Sequence, residues 1–259
     1  MHTLSSAILL SLAASLASAS PTKPALHRRD VIGSLPGGAD EDESRYQPLT
    51  DYDTDSCYAT SAIDASGNTN PGLFDEPEEV SPCRDPARLE NMNVYSRKRC
   101  NNGWCAYMYE YYFERDFWFF GGHQHDWENL VVFVQDGAVK RVAPSCHGKY
   151  EHATNEPRLD GDRVKAVYHT DAGATRCWRI STDGDEPPEN FSGNWWLGAL
   201  VGWNHWPSNG DGRLLRDIVW ETWKSGVAPK LWDDGDAFTN NLRMAAGDGA
   251  PGFDPAIDG

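Results

Sequence analysis

Apolar residues along this chain fall mostly in short runs, not in helical stripes. Ala106 to Phe113, Asn129 to Val134, Val139 to Ala143, Val164 to His169, Cys177 to Ile180 and Trp195 to Leu200 are each short and rich in β-branched or aromatic side chains, as strands are. Turn pairs such as Asp136-Gly137 and Asp160-Gly161 separate them. Helical spacing is confined to Pro86 to Met92, Arg213 to Lys224 and Phe238 to Ala246. In the second of these, Leu214, Leu215, Ile218, Val219 and Trp223 form an apolar stripe ending before Gly226, and Asp236 stands at the N-cap position of the third. This balance predicts an all-β-dominated fold: a single-domain antiparallel β-sandwich with a few peripheral helices.

The ends of the chain read differently. Residues 1–19 contain the apolar run Ala7 to Leu16 and finish in Ala17-Ser18-Ala19, a small-residue cleavage pattern, so they are read as a signal peptide. That run is too short to span a bilayer, and the expectation is a secreted, soluble, extracellular protein. Residues 20–46 form a candidate propeptide and flexible acidic arm, in which Arg28-Arg29 is a candidate second processing site and Gly37 to Tyr46 a mobile lead-in. The domain proper is placed at 47–246, with a Gly/Asp-rich tail at 247–259. Removing residues 1–29 takes away Lys23, Arg28 and Arg29 and no acid, which lowers the net charge from −16 to −19. So acidic a body argues against nucleic-acid partners and against attraction to anionic lipid by bulk charge.

Six cysteines in a secreted chain, at spacings that match no paired zinc-ligand pattern, point to disulfides and leave their connectivity open. Cys100 and Cys105 flank Asn101-Asn102-Gly103-Trp104, whose Asn-Gly pair favours a tight turn that would bring them together. Asn190-Phe191-Ser192 is an N-glycosylation sequon and marks Asn190 as an expected surface acceptor.

The densest chemistry lies between Gly121 and Glu128, just before the apolar strand Leu130 to Val134. In a regular strand Asp126 and Glu128 share one face, while His123, His125 and Trp127 take the other. Gly121 and Gly122 permit a bend that would swing His123 round to the carboxylates. Two carboxylates with one imidazole suit a hard divalent ion such as magnesium, calcium or manganese better than structural zinc, and Asp116 is the nearest further acid. A salt-bridged structural cluster without metal fits the same spacing.

Gly122-His123-Gln124-His125-Asp126-Trp127-Glu128 resembles the signature heptapeptide of the necrosis- and ethylene-inducing-like proteins that plant-associated microbes secrete. Trp104 to Asp116 resembles the second block of that family, and further similar segments include His147-Gly148-Lys149-Tyr150, Val167-Tyr168-His169, Glu186 to Asn190 and Leu200 to Pro207. The resemblance implies a β-sandwich similar to the pore-forming actinoporins of sea anemones. It also implies metal ligation by Asp116, His123, Asp126 and Glu128, with magnesium or calcium as the cofactor. His125 is read as orienting the loop and Trp127 as core packing. Cys57–Cys83 is implied as a second bridge; Cys146 and Cys177, then left over at the edges of strand-like runs, are expected to pair.

The function the resemblance implies is virulence through cytolysis: binding the sugar head groups of glycosylinositol phosphorylceramides in plant plasma membranes, without enzymatic turnover or any catalytic residue. Shallow membrane contact would come from Phe117, Trp118, Phe119 and Phe120 and from Trp203 and Trp206. Plant immune receptors that sense the block around Ala106 to Asp116 are further implied partners, and the protein is expected to be a monomer in solution. The chain departs from the family pattern at Gln124, where arginine is usual, in the short apolar loop from Phe117 to Gly122, and in the insertion from Ser208 to Gly212. Two competing readings are a non-toxic relative that keeps fold and metal, and a metal-dependent hydrolase, although no G-x-S-x-G or H-E-x-x-H motif occurs.

Overall fold

Two short turns generate most of the larger sheet. Asn102-Gly103 has φ of 49° and 80°, and Asp136-Gly137 has 52° and 72°; positive φ at both positions matches the twist of the strands that a two-residue hairpin joins. The computed structural model describes residues 31–73, 80–118, 121–171 and 175–258. In chain order its elements are α1 (Glu41–Tyr46), β1 (Leu49–Tyr52), α2 (Pro86–Glu90), β2 (Asn93–Asn101), β3 (Trp104–Trp118), β4 (Gly121–Gln135) and β5 (Ala138–Pro144). There follow β6 (Leu159–Asp160), β7 (Arg163–Thr170), β8 (Arg176–Ile180), β9 (Ala199–Gly202), α3 (Leu215–Trp223) and α4 (Ala237–Ala246).

The larger sheet has the order β5-β4-β3-β2-β9, and in the smaller one β7 pairs with β1, β6 and β8. The sandwich is not wholly antiparallel: β1 runs parallel to β7 and β2 parallel to β9. Both are pairings across long stretches of chain, which can return in either direction, unlike a tight hairpin.

Side chains of β3 alternate between two cores. Tyr107, Tyr109, Tyr111 and Phe113 point between the sheets toward Tyr52, Tyr168 and Trp178, whereas Ala106, Met108 and Tyr112 meet Leu215, Val219, Phe238 and Leu242 of the helical layer. Burial on both faces explains why Leu130 to Val134 of β4 is an unbroken apolar run. Three disulfides form: Cys100–Cys105 clips the β2–β3 hairpin within one sheet, Cys146–Cys177 ties the end of β5 to β8 of the other sheet, and Cys57–Cys83 joins two connecting segments.

The expected mobile arm is built into the fold. Ile32 and Leu35 are buried, Gly38 N–H donates to Leu200 O at 2.8 Å, and Gly202 N–H donates back to Gly38 O at 2.8 Å. Two of its acids are neutralised locally, since Lys98 Nζ stands 2.7 Å from Asp42 and 2.9 Å from Asp40. The same partners explain why β2 escapes a hydrophobic scan: Arg97, Lys98 and Arg99 face acids, carbonyls and aromatic rings. The tail beyond Ala246 also packs, with Phe253 edge-on to Phe133 and Trp104 Nε1–H donating to Pro251 O at 3.0 Å. Asp236 sits at the start of α4 but in the left-handed region, φ 58°, and makes no capping bond with its side chain. The signal and propeptide expectations for residues up to 30 lie outside the described residues.

Because Leu35 fills the core on the face of β2, Leu35→Ala should lower unfolding free energy by about 2–4 kcal/mol. Urea denaturation checks this; a change below about 0.5 kcal/mol would mean that the segment is an appendage.

Candidate functional site

At the end of the larger sheet, the β3–β4 ladder pairs Tyr111 with Glu128, Phe113 with Asp126 and Asp116 with His123. Asp126 and Glu128 therefore share the face of Tyr111 and Phe113, toward the smaller sheet. Asp116 joins them there, because its Oδ1 accepts the Arg176 N–H of β8 at 3.2 Å. All three carboxylates are buried, whereas His123 is 49% exposed at the rim with Nε2 4.0 Å from Asp116 Oδ2.

The departure from strand alternation occurs at His125, with φ 64°, and not at the glycines as expected. This brings His123, two residues earlier, round to Asp116. Gly122 meets a different demand: a Cβ there would lie 2.5 Å from Asp116 O and 2.6 Å from Phe117 Cα, so only glycine permits the two strands to approach this closely.

Like charges crowd this end of the sandwich. Burial raises Asp116, against the pull of the Arg176 amide and guanidinium. Burial and then the charge of Asp116 push Asp126 up to about 7. Glu128 is raised well above the usual carboxylate range, by burial and then by Asp126, although Ser145 Oγ–H donates to it. Ser145 is itself fixed, its Oγ accepting the Asn129 N–H at 2.7 Å. Arg176 donates to Phe117 O and to Asp55 O, which holds its guanidinium beside Asp116. The buried Tyr168 hydroxyl lies in the field of all three acids and has no hydrogen-bond partner among the described residues.

Does this donor set fit a divalent ion? His123 Nδ1–H donates to His125 O at 2.7 Å, which in the neutral ring leaves the Nε2 lone pair free beside Asp116. Two acceptors facing one another, with two more buried carboxylates behind them, suit a hard cation. Among the described residues no three of the four expected ligands bring their donor atoms within 4.8 Å of one another, so they do not form a closed cage. Such a cation would keep part of its shell for water or ligand oxygen. Cys146, Asp171 and Cys177 do lie that close, but their sulfurs are joined as a disulfide.

The other expected residues divide sharply. His125 faces the helical layer, its Nδ1 2.6 Å from Tyr112 Oη and its ring against Trp223, and burial lowers its pKa to about 4, so it is neutral. Trp127 packs there too, against Tyr95 and Tyr112. Gln124 donates its amide to Pro71 O. Phe117, expected at the membrane, is instead buried under the guanidinium groups of Arg115 and Arg176. Trp206 is buried and stacked on Tyr95 at 4.8 Å, and Trp203 lies half-buried against Arg97 and Arg216. The Trp118 side chain, Phe119 and Phe120 lie outside the described residues.

Asn190 is a further correction. It is 4% exposed, and its Nδ2 donates to Asp51 Oδ1 and to Asn194 O, both at 2.8 Å, so both amide hydrogens are spent in the interior. Ser145 and Arg176 escaped the sequence reading because an isolated serine and arginine carry no spacing signal; Tyr168 lay in a segment that resembles the family.

A family model described as necrosis inducing protein (NPP1) matches residues 40–245. The chain is 31% identical over 141 residues to NLP effector protein 10 of Phytophthora capsici, covering 51% of this chain and 59% of that protein. It is 32% identical over 151 residues to necrosis-inducing protein NPP1 of Phytophthora nicotianae, covering 49% and 63%. The matched stretch thus spans less than two thirds of either relative. Among solved structures, necrosis and ethylene inducing protein 2 from the causal agent of cocoa's witches broom disease is similar at TM-score 0.66, with 24% identity over 83% of this chain and 94% of that one. NLPPya in complex with glucosamine follows at 0.64, with 24% identity over 84% and 97%. The non-toxic HaNLP3 protein stands at 0.59, with 25% identity over 75% and 87%.

Two outcomes follow from this geometry. In chelator, the folded chain holds a proton on Asp126 that the unfolded chain, with a pKa of about 4, has released. Stability should therefore fall as pH rises from about 4 to 7, and Asp126→Asn should make that fall shallower in pH-dependent urea melts; an identical slope contradicts the assignment. Intact-mass and peptide mapping of folded protein secreted from a glycosylating host should find Asn190 unmodified, and a glycan there would disprove its interior placement.

Proposed function

Because this chain belongs to the necrosis inducing protein (NPP1) family, we propose that it is a secreted effector that binds the sugar head group of a plant sphingolipid through a cation and damages the membrane without chemical turnover. One observation carries the reading: three carboxylates are buried at one end of the sandwich, all raised by burial and Asp126 and Glu128 also by the neighbouring acids, a state that a bound positive charge would relieve at neutral pH. Asp116, Asp126 and Glu128 would hold the ion, and His123 would offer Nε2 at the rim. When bound, a hard divalent cation supplies the missing charge and free coordination positions for sugar hydroxyls. Arg176 keeps Asp116 turned inward, Ser145 does so for Glu128, and the half-exposed His123 stands where a ligand enters. The glucosamine bound by the similar NLPPya supports a sugar as the ligand class. Three disulfides support secretion into an oxidising compartment. Among the described residues no helix is long and apolar enough to cross a membrane, which fits action from the surface.

A second reading has its own support. With Phe117 and Trp206 buried and Gln124 tied to Pro71, the described part of the site offers little apolar surface for insertion. Binding without lysis is then the outcome, and the likeness to the non-toxic HaNLP3 protein supports it.

Vesicles containing glycosylinositol phosphorylceramide separate these readings. Dye leakage that chelator suppresses and that Asp126→Ala and His123→Ala each reduce at least about tenfold is the expected result. Cation-dependent binding without leakage would establish the non-lytic reading, and release of free head group would overturn both in favour of hydrolysis.

A further inference from the structure

The two residues that hold the outer carboxylates of the acidic cluster are each the chain neighbour of a cysteine, and the two cysteines are bonded to one another. Ser145, which donates to Glu128, precedes Cys146; Arg176, whose amide donates to Asp116, precedes Cys177. Ser145 follows β5 of the larger sheet, whereas Arg176 opens β8 of the smaller one. Glu128 and Asp116 are thus braced from two different layers, and a single covalent bond fixes the spacing of the braces.

We propose that the Cys146–Cys177 bridge is a latch that positions the cation site, holding Ser145 against Glu128 and Arg176 against Asp116 so that the two outer carboxylates keep their places. This rests on the reading of the acidic cluster as a cation site. Apolar packing sets the gap between two sheets only to within the play of side-chain rotamers, while a ligand set needs its outer partners fixed more tightly. The other direct ties here are weaker: Trp178 N–H donates to Ser145 O at 3.2 Å, and His147 bridges Asp171 at 3.2 Å and Thr175 at 2.7 Å on an exposed surface. These hold the two segments near one another without the bridge, so its loss loosens the site without unfolding the chain. Cys100–Cys105 provides a contrast. It clips the β2–β3 hairpin, eleven positions along β3 from Asp116 or about 36 Å of strand, and touches nothing at the site.

The experiment compares calcium and magnesium binding by calorimetry in four proteins: wild type, Cys146→Ala/Cys177→Ala, Cys100→Ala/Cys105→Ala and Ser145→Ala. The first double variant should lose about tenfold or more in affinity, and the Arg176 and Asn129 amides, which the two braces engage, should exchange with deuterium faster. The hairpin variant should keep wild-type affinity even where its melting temperature falls. Ser145→Ala keeps the bridge but removes one brace, and should weaken binding as well; if the first double variant does not fold, unchanged affinity in Ser145→Ala overturns the proposal. Wild-type affinity in the Cys146→Ala/Cys177→Ala protein, or equal losses in both double variants, overturns the latch alone. No saturable binding by wild type, or undiminished binding by an Asp126→Asn protein, overturns the cation reading and the latch with it.

Discussion

Three carboxylates with raised pKa values are kept inside the end of an apolar sandwich, and the cost of holding like charges out of water governs how that end is built. The nearest compensation is modest: one guanidinium beside Asp116, one hydroxyl on Glu128 and a half-exposed imidazole at the rim. A side chain at Gly122 would part the strands, and replacing Arg176 would leave Asp116 its backbone amide but take away its guanidinium.

The aromatic residues divide by the same logic. With this many tryptophans and tyrosines the chain invites a membrane-insertion reading, yet the described rings mostly build cores. Tyr52, Tyr111, Phe113, Tyr168 and Trp178 interlock between the sheets, while Tyr95, Tyr112, Trp127, Trp206 and Trp223 join sheet to helices. Among the described residues, the groups that engage the acids directly are polar: Arg176, Ser145 and His123. Recognition of a polyol through a cation and hydroxyl exchange is consistent with such a surface, whereas deep apolar insertion is not supported by the side chains described.

Gln124 spends its amide on Pro71, and the guanidinium held beside Asp116 is that of Arg176, from the opposite sheet. The bridge next to Arg176 then acquires a meaning that a count of cysteines does not convey.

Local pattern in the sequence determined the strand cores, the two Asx-Gly hairpins, the helices α3 and α4, and the shared face of Asp126 and Glu128, because alternation and turn conformation depend on neighbours only a few residues apart. The strand β2 and the helix α1 were not legible, since their charges are compensated by each other across 56 residues of chain, as Lys98 and Asp42 are. Likewise the braces of the site reach it from afar: Ser145 lies 17 residues from Glu128, and Arg176 lies 60 residues from Asp116. Tertiary structure alone decided that Asn190 and Trp206 are interior, that Phe117 is covered by arginines, and that the partners of Asp116 and Glu128 are the chain neighbours of one disulfide. Burial and through-space charge are properties of the packed chain, and no window of sequence contains both partners.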